Sequence, residues 1–158
     1  MARTEDIPEP IRSNIANVSC PSFVTTPFNV GPPLRRQRIG IISSAALIRR
    51  GDQPFHYGSA ETRAVPNGPI REILTSHVST AHDRSGFQRD INTIYPIERL
   101  HELAADGAVG GVADTNFTVM GSTDPSIPAN QAAFADSADQ IAAHFRQQRI
   151  DSILLCPV

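Results

Sequence analysis

The run Ile39-Gly40-Ile41-Ile42-Ser43-Ser44-Ala45 constrains the fold of this chain more than any other segment. Its apolar residues are continuous rather than alternating. That pattern predicts a central parallel strand, covered on both faces as such strands are in α/β domains. The run closes in small hydroxyl residues, where a loop is expected to begin.

The segments that follow supply the helices such a sheet needs. Pro96 suits a first helical turn, Ile97, Leu100, Leu103 and Ala104 keep to one face, and Gly107 can end the helix in the left-handed conformation. Val112 to Met120 alternates as a strand does. A second helix is predicted from about Ala129 to Gln148, with Phe134, Ala138, Ile141, Ala142 and Phe145 on one stripe, and Ile150 to Leu155 reads as the closing strand. Shorter strand candidates lie at Arg63–Pro66 and Glu72–His77, beyond a turn at Gly51–Phe55. Strand, helix, strand, helix, strand with right-handed crossovers predicts an α/β, Rossmann-like, mostly parallel sheet with flanking helices.

Residues 1–36 differ from this pattern, because Pro8, Pro10, Pro21, Pro27, Pro32 and Pro33 repeatedly interrupt helix or central strand. They read as an extended proline-rich N-terminal arm ahead of an α/β domain at 37–158. The arm carries Ile11, Ile15, Val18, Phe23, Val24, Phe28 and Val30, so it is expected to pack across its own domain or onto a partner subunit.

Composition narrows the chemistry. With 158 residues and 40% hydrophobic content, a compact core is expected, and a formal charge of −2 speaks against general nucleic-acid binding. All 14 basic side chains are Arg, which excludes Schiff-base and P-loop chemistry, both of which use a lysine amine. No stretch approaches the roughly 20 apolar residues of a membrane helix, and no signal peptide opens the chain, so a cytoplasmic location is expected. Cys20 and Cys156 are expected to be reduced thiols, with a bridge between them as the alternative.

Three polar clusters could carry chemistry. Ser76-His77 through His82-Asp83 joins imidazoles to a carboxylate, as general acid and base work requires. A metal hydrolase built on His77, His82, Asp83 and Asp90 is a further possibility, although the spacing is not a zinc signature. Arg89-Asp90-Ile91-Asn92 precedes the first helix, where capping would explain one of the two polar side chains but not both. Val119 to Pro125 is a Gly-containing turn after a strand, able either to cradle an anion or simply to reverse the chain.

Arg38 to Ser44, Ser76-His77, Asp83, Asp90-Ile91-Asn92, Tyr95 to Leu100, Glu102-Leu103, Gly107, Met120-Gly121 and Asp151 to Leu155 occur in an informative order. Taken together, they resemble the selenoprotein B family of glycine, sarcosine, betaine and D-proline reductases, over about residues 37 to 158. The block from Ser76 to Leu103 is the most specific part.

The resemblance implies reductive cleavage of a small amine or amino-acid-like substrate by a selenol or thiol nucleophile just beyond Val158. No cofactor is expected in the chain itself, and selenocysteine is expected to be encoded after Val158, with the present sequence truncated before it. Cys156 would then be a redox partner, His77 and Asp83 the proton donor or orienting pair, and either His77 or His82 would face the site. Ser44, His82, Asp90, Asn92, Met120 and Gly121 would bind substrate. Expected partners are the small-molecule substrate, a thiol reductant and further copies of the chain, joined through the arm or a sheet edge. The alternative is an inactive homologue serving as an oligomeric subunit or small-molecule-binding module.

Overall fold

The computed structural model describes residues 4–17, 24, 26, 29–79, 84–124 and 127–158. Its strands are β1 (Arg38–Ser43), β2 (Leu47–Arg49), β3 (Thr62–Pro66), β4 (Ile73–Thr75), β5 (Gly111–Val112), β6 (Thr115–Val119) and β7 (Ser152–Cys156). The helices are α1 (Ile11–Ala16), α2 (Ser85–Arg89), α3 (Ile97–Ala105) and α4 (Pro128–Gln147), with short 3-10 turns between them.

The continuous apolar run becomes β1, at the centre of the main sheet. One edge of β1 pairs along its length with β7, from Ile39↔Ser152 to Ser43↔Cys156. The other edge pairs first with β5 and then with β6, so these two short strands share one position in the sheet. All three pairings are parallel, and β3 adds an antiparallel strand outside β6. A separate antiparallel pair joins β2 to β4. The result is a mixed α/β architecture with a mostly parallel sheet and flanking helices.

Alternation along β1 assigns the two faces. Ile39 and Ile41 point into a core shared with Tyr95 and with Ile97 and Leu100 of α3. On the opposite face, a Cβ built on Gly40 would meet the Phe145 ring of α4 at 2.8 Å, and Ile42 packs in the cluster formed by Ile141 and Phe145. Glycine at position 40 is therefore what lets an aromatic ring lie directly on the backbone of the central strand.

The predicted strand from Val112 to Met120 is interrupted at Ala113 and Asp114, and the reason is a side chain. Ala113 N still donates to Ile39 O (2.9 Å), but Ile41 N donates to the Asn116 side-chain oxygen at 2.7 Å. Asn116 fills the gap in the ladder, and its Nδ2 donates to Tyr95 Oη at 3.0 Å. The inward positions of β6 are thus Asn116 and Thr118, both fully buried, while Phe117 joins the α4 side.

In the arm, Ile11–Ala16 forms a short helix. Ile11, Val24, Val30 and Leu34 are exposed. Residues 18–23, 25, 27 and 28 lie outside the described residues, and the expectations for Val18, Cys20, Phe23 and Phe28 fall there. No helix among the described residues is long and apolar enough to cross a membrane.

Candidate functional site

Four of the residues singled out by sequence meet at the carboxyl end of the sheet, around Ser44. Its backbone N donates to Cys156 O (3.0 Å), and its carbonyl accepts from Gly121 N (2.9 Å). Its hydroxyl accepts from Val158 N at 2.8 Å. One serine therefore ties together the ends of β1, β6 and β7 and holds the chain beyond Cys156 against the sheet. Gly121 makes this possible: a Cβ there would lie 3.0 Å from the Cβ, Oγ and O of Ser44. Met120 is buried and bridges to Ala45.

The backbone turns sharply just past Ser44. Ala46 has φ 51°, a left-handed conformation that an L-residue with a Cβ adopts at a cost. It is held there from both sides, since its N donates to Val119 O and its O accepts from Ser76 N, each at 3.0 Å. Buried hydroxyls complete the scaffold. Ser43 Oγ donates to Ile94 O (2.8 Å), while Thr118 Oγ1 donates to Ser43 O and accepts from Leu47 N, both at 2.9 Å.

These bonds also bring the His77 segment to the sheet end. Thr75 Oγ1 donates to Ala45 O at 2.5 Å. Val78 packs with the cluster of Ala46, Phe55 and Met120. His77 is buried, and its Nδ1 accepts from Ser79 N at 3.3 Å. Arg84 clamps the segment from outside, donating through Nη2 to the carbonyls of His77 (3.2 Å) and Ser79 (2.7 Å). Phe55 is anchored alongside, its N donating to Ser76 Oγ at 3.0 Å and its ring lying 4.0 Å beneath the Arg63 guanidinium.

Cys156 is a free thiol, half-buried against the core on the α3 side, and burial pushes its pKa up. As it stands, the sulfur is less readily ionised than an ordinary cysteine.

Asp90 and Asn92 lie elsewhere. Asn92 N donates to Asp90 Oδ1 (2.9 Å), capping the 3-10 turn Ile91–Thr93, and Glu98 N donates to Asn92 Oδ1 (3.2 Å) in the first turn of α3. The two residues cap two successive turns, so capping accounts for both, where it was expected to account for one. The Asn92 amide, followed by the Asn92 side chain and the Arg99 charge, holds the Asp90 carboxyl below its usual range. Both line a cleft of about 630 Å³ between β4, α2 and the start of α3.

His82 and Asp83 lie outside the described residues. Among the described residues, no three His, Cys, Asp or Glu side chains gather as a metal site would require. The sequence reading did not single out Asn116, Thr118 or Arg84. The polar residues at alternate positions of β6 were the available signal for the first two, while nothing distinguished Arg84 among fourteen arginines.

Fold and site together define a mixed α/β domain whose hydroxyl, glycine and thiol residues converge where parallel strands end, the usual place for chemistry in such sheets. The chain is similar to the D-proline reductase subunit gamma of Acetoanaerobium sticklandii, with 24% identity over 148 residues, 92% of this chain and 57% of that protein. It is also similar to the glycine reductase complex component B subunit gamma of Symbiobacterium thermophilum, 24% identical over 144 residues, covering 85% of this chain and 32% of that one. The resemblance to the glycine and D-proline reductase family therefore extends over most of the chain, which spans about half of one relative and a third of the other. No protein-family model matches the chain, and no solved structure matches it significantly.

Proposed function

We propose that this protein is a reductase-complex subunit, or part of one, whose reaction is the reductive cleavage of a small amine or amino-acid-like substrate at the carboxyl end of the sheet. The observation that carries the reading is the three-way tie at Ser44, which fixes Gly121, Cys156 and the backbone of Val158 at one point. A selenol or thiol supplies the nucleophile in this chemistry. In this reading Cys156 closes a bridge with it, the two together giving up two electrons as the substrate's carbon–nitrogen bond breaks and takes up two protons. An external thiol reductant then reopens the bridge. His77 and Asp83 are then the proton donor or orienting pair, and Gly121, with Met120 buried beneath it, lies on the substrate's side of the sheet end.

The test is made on the protein purified from its own host with whatever subunits accompany it. Intact mass and selenium content are measured, and D-proline, glycine, sarcosine and betaine are assayed for substrate-dependent oxidation of dithiothreitol. Turnover that Cys156→Ser or His77→Ala abolishes is the expected result. Turnover indifferent to both variants would remove the proposed roles, and no turnover from an intact, selenium- or thiol-bearing complex would remove the reaction.

One observation favours a second reading, a non-enzymatic oligomeric module. The outer edge of β7 pairs with nothing among the described residues, and Ile153, Leu154 and Leu155 are 46%, 38% and 66% exposed. Sedimentation of the isolated chain tests whether that edge joins copies, and the turnover assay separates the two readings.

A further inference from the structure

The cleft beside α3 has a composition that the reductase reading does not use. Ile73, Phe87 and Ile91 line its apolar part, and Arg71, Arg84 and Arg89 its rim. No carboxylate among the described residues pairs with any of these three arginines, whereas Arg12, Arg38, Arg63 and Arg99 each have one. Arg84 is engaged, but by the carbonyls of His77 and Ser79, which are neutral acceptors.

The acids on the same wall are already committed. Asp90 Oδ1 accepts from both nitrogens of Asn92 at 2.9 Å, and Glu98 Oε2 accepts from Asn92 Nδ2 at 3.0 Å. Arg99 lies 3.9 Å from Glu98 and lowers the Asp90 pKa. A ligand entering the cleft thus meets three guanidinium groups against two carboxylates, both of them turned towards Asn92. The excess of positive charge favours a plain anion over a zwitterion or a cation.

We propose that this cleft binds a small organic anion with an apolar body, of the aryl or branched-chain monocarboxylate class, with Arg71 and Arg89 holding the carboxylate and Phe87 and Ile91 contacting the body. Guanidinium and carboxylate match in planar, bidentate geometry. An exposed pair contributes little by itself, so the apolar wall is what makes the site selective for amphipathic anions over inorganic ones. The site is separate from the sheet end and stands whether or not the reductase reading does. It adjoins the His77 segment through Arg84.

The experiment is an NMR titration of the full chain with phenylacetate, phenylacetamide, phenylalanine and inorganic phosphate. The expected result is saturable shifts at Ile73, Phe87 and Ile91 with phenylacetate, and binding about tenfold weaker for the other three probes. The double variant Arg71→Gln with Arg89→Gln is expected to weaken phenylacetate by at least that factor while keeping the thermal midpoint, since both side chains are exposed. Equal binding of phenylacetate and phenylacetamide, equal binding of phenylalanine, shifts that map elsewhere, or an unaffected double variant would each overturn the proposal.

Discussion

Asn116 shows how much structure one buried amide can hold. Its oxygen substitutes for a missing strand carbonyl opposite Ile41 N, and its nitrogen donates to Tyr95 Oη, so it links β1, β6 and the entry to α3. Truncation in Asn116→Ala would leave the Ile41 amide without a partner inside the sheet and is expected to cost about 2–4 kcal/mol, measured by denaturant unfolding. Tyr95 offers a check by pH. Burial raises its pKa from 10.0 to about 12, so the neutral phenol is favoured in the folded state. That contribution is complete below pH 10, the unfolded value, and is lost as pH rises from 10 towards 12. Alkaline unfolding is expected to show a loss on the order of 2–3 kcal/mol over this window. In Tyr95→Phe that alkaline component should vanish, at a cost in neutral stability from the lost Asn116 bond.

The contact between β1 and α4 depends on what a glycine omits. Phe145 sits on Gly40 so closely that the alanine Cβ would come within 2.8 Å of its ring. Gly40→Ala is expected to destabilise by about 1–3 kcal/mol, the usual range for overpacking. Trimming the ring in Phe145→Leu should make the double variant less damaged than the sum of the two single ones, because the residues are in direct contact. Both helices of this layered arrangement are legible in sequence, since the stripes through Leu100 and through Ile141 and Phe145 have helical spacing, and β1 announces itself by its unbroken apolar run. The interruption between β5 and β6 is not legible, because it depends on a side chain reaching a strand far away in sequence. The same limit governs the site. The meeting of Ser44, Gly121 and Cys156 follows from three strands ending together, which order and composition indicate. The double capping by Asp90 and Asn92 does not follow, because a single 3-10 turn at Ile91–Thr93 has no periodicity to recognise.

At the scale of the whole molecule, the burial of the sheet is lopsided. β1 has the continuous apolar sequence of a strand covered on every side, and it is so covered. β7 has the same kind of sequence, Ile153-Leu154-Leu155, but one hydrogen-bonding edge stays open and all three side chains remain partly in water. Leu154 and the pair Ile153 and Leu155 point to opposite faces, so another strand laid along this edge would extend both apolar layers at once. No charge within Ser152–Cys156 opposes such pairing, and an uncharged, apolar edge lacks the devices that normally keep strands apart. The isolated chain is therefore expected to associate reversibly as concentration rises, as read by sedimentation equilibrium. Leu155→Lys places a charge at the most exposed of the three positions and should return the chain to a monomer. Because that side chain is already 66% exposed, the thermal midpoint should move little. A wild-type chain that stays monomeric at high concentration would show that the open edge of β7 is not by itself an interface between copies.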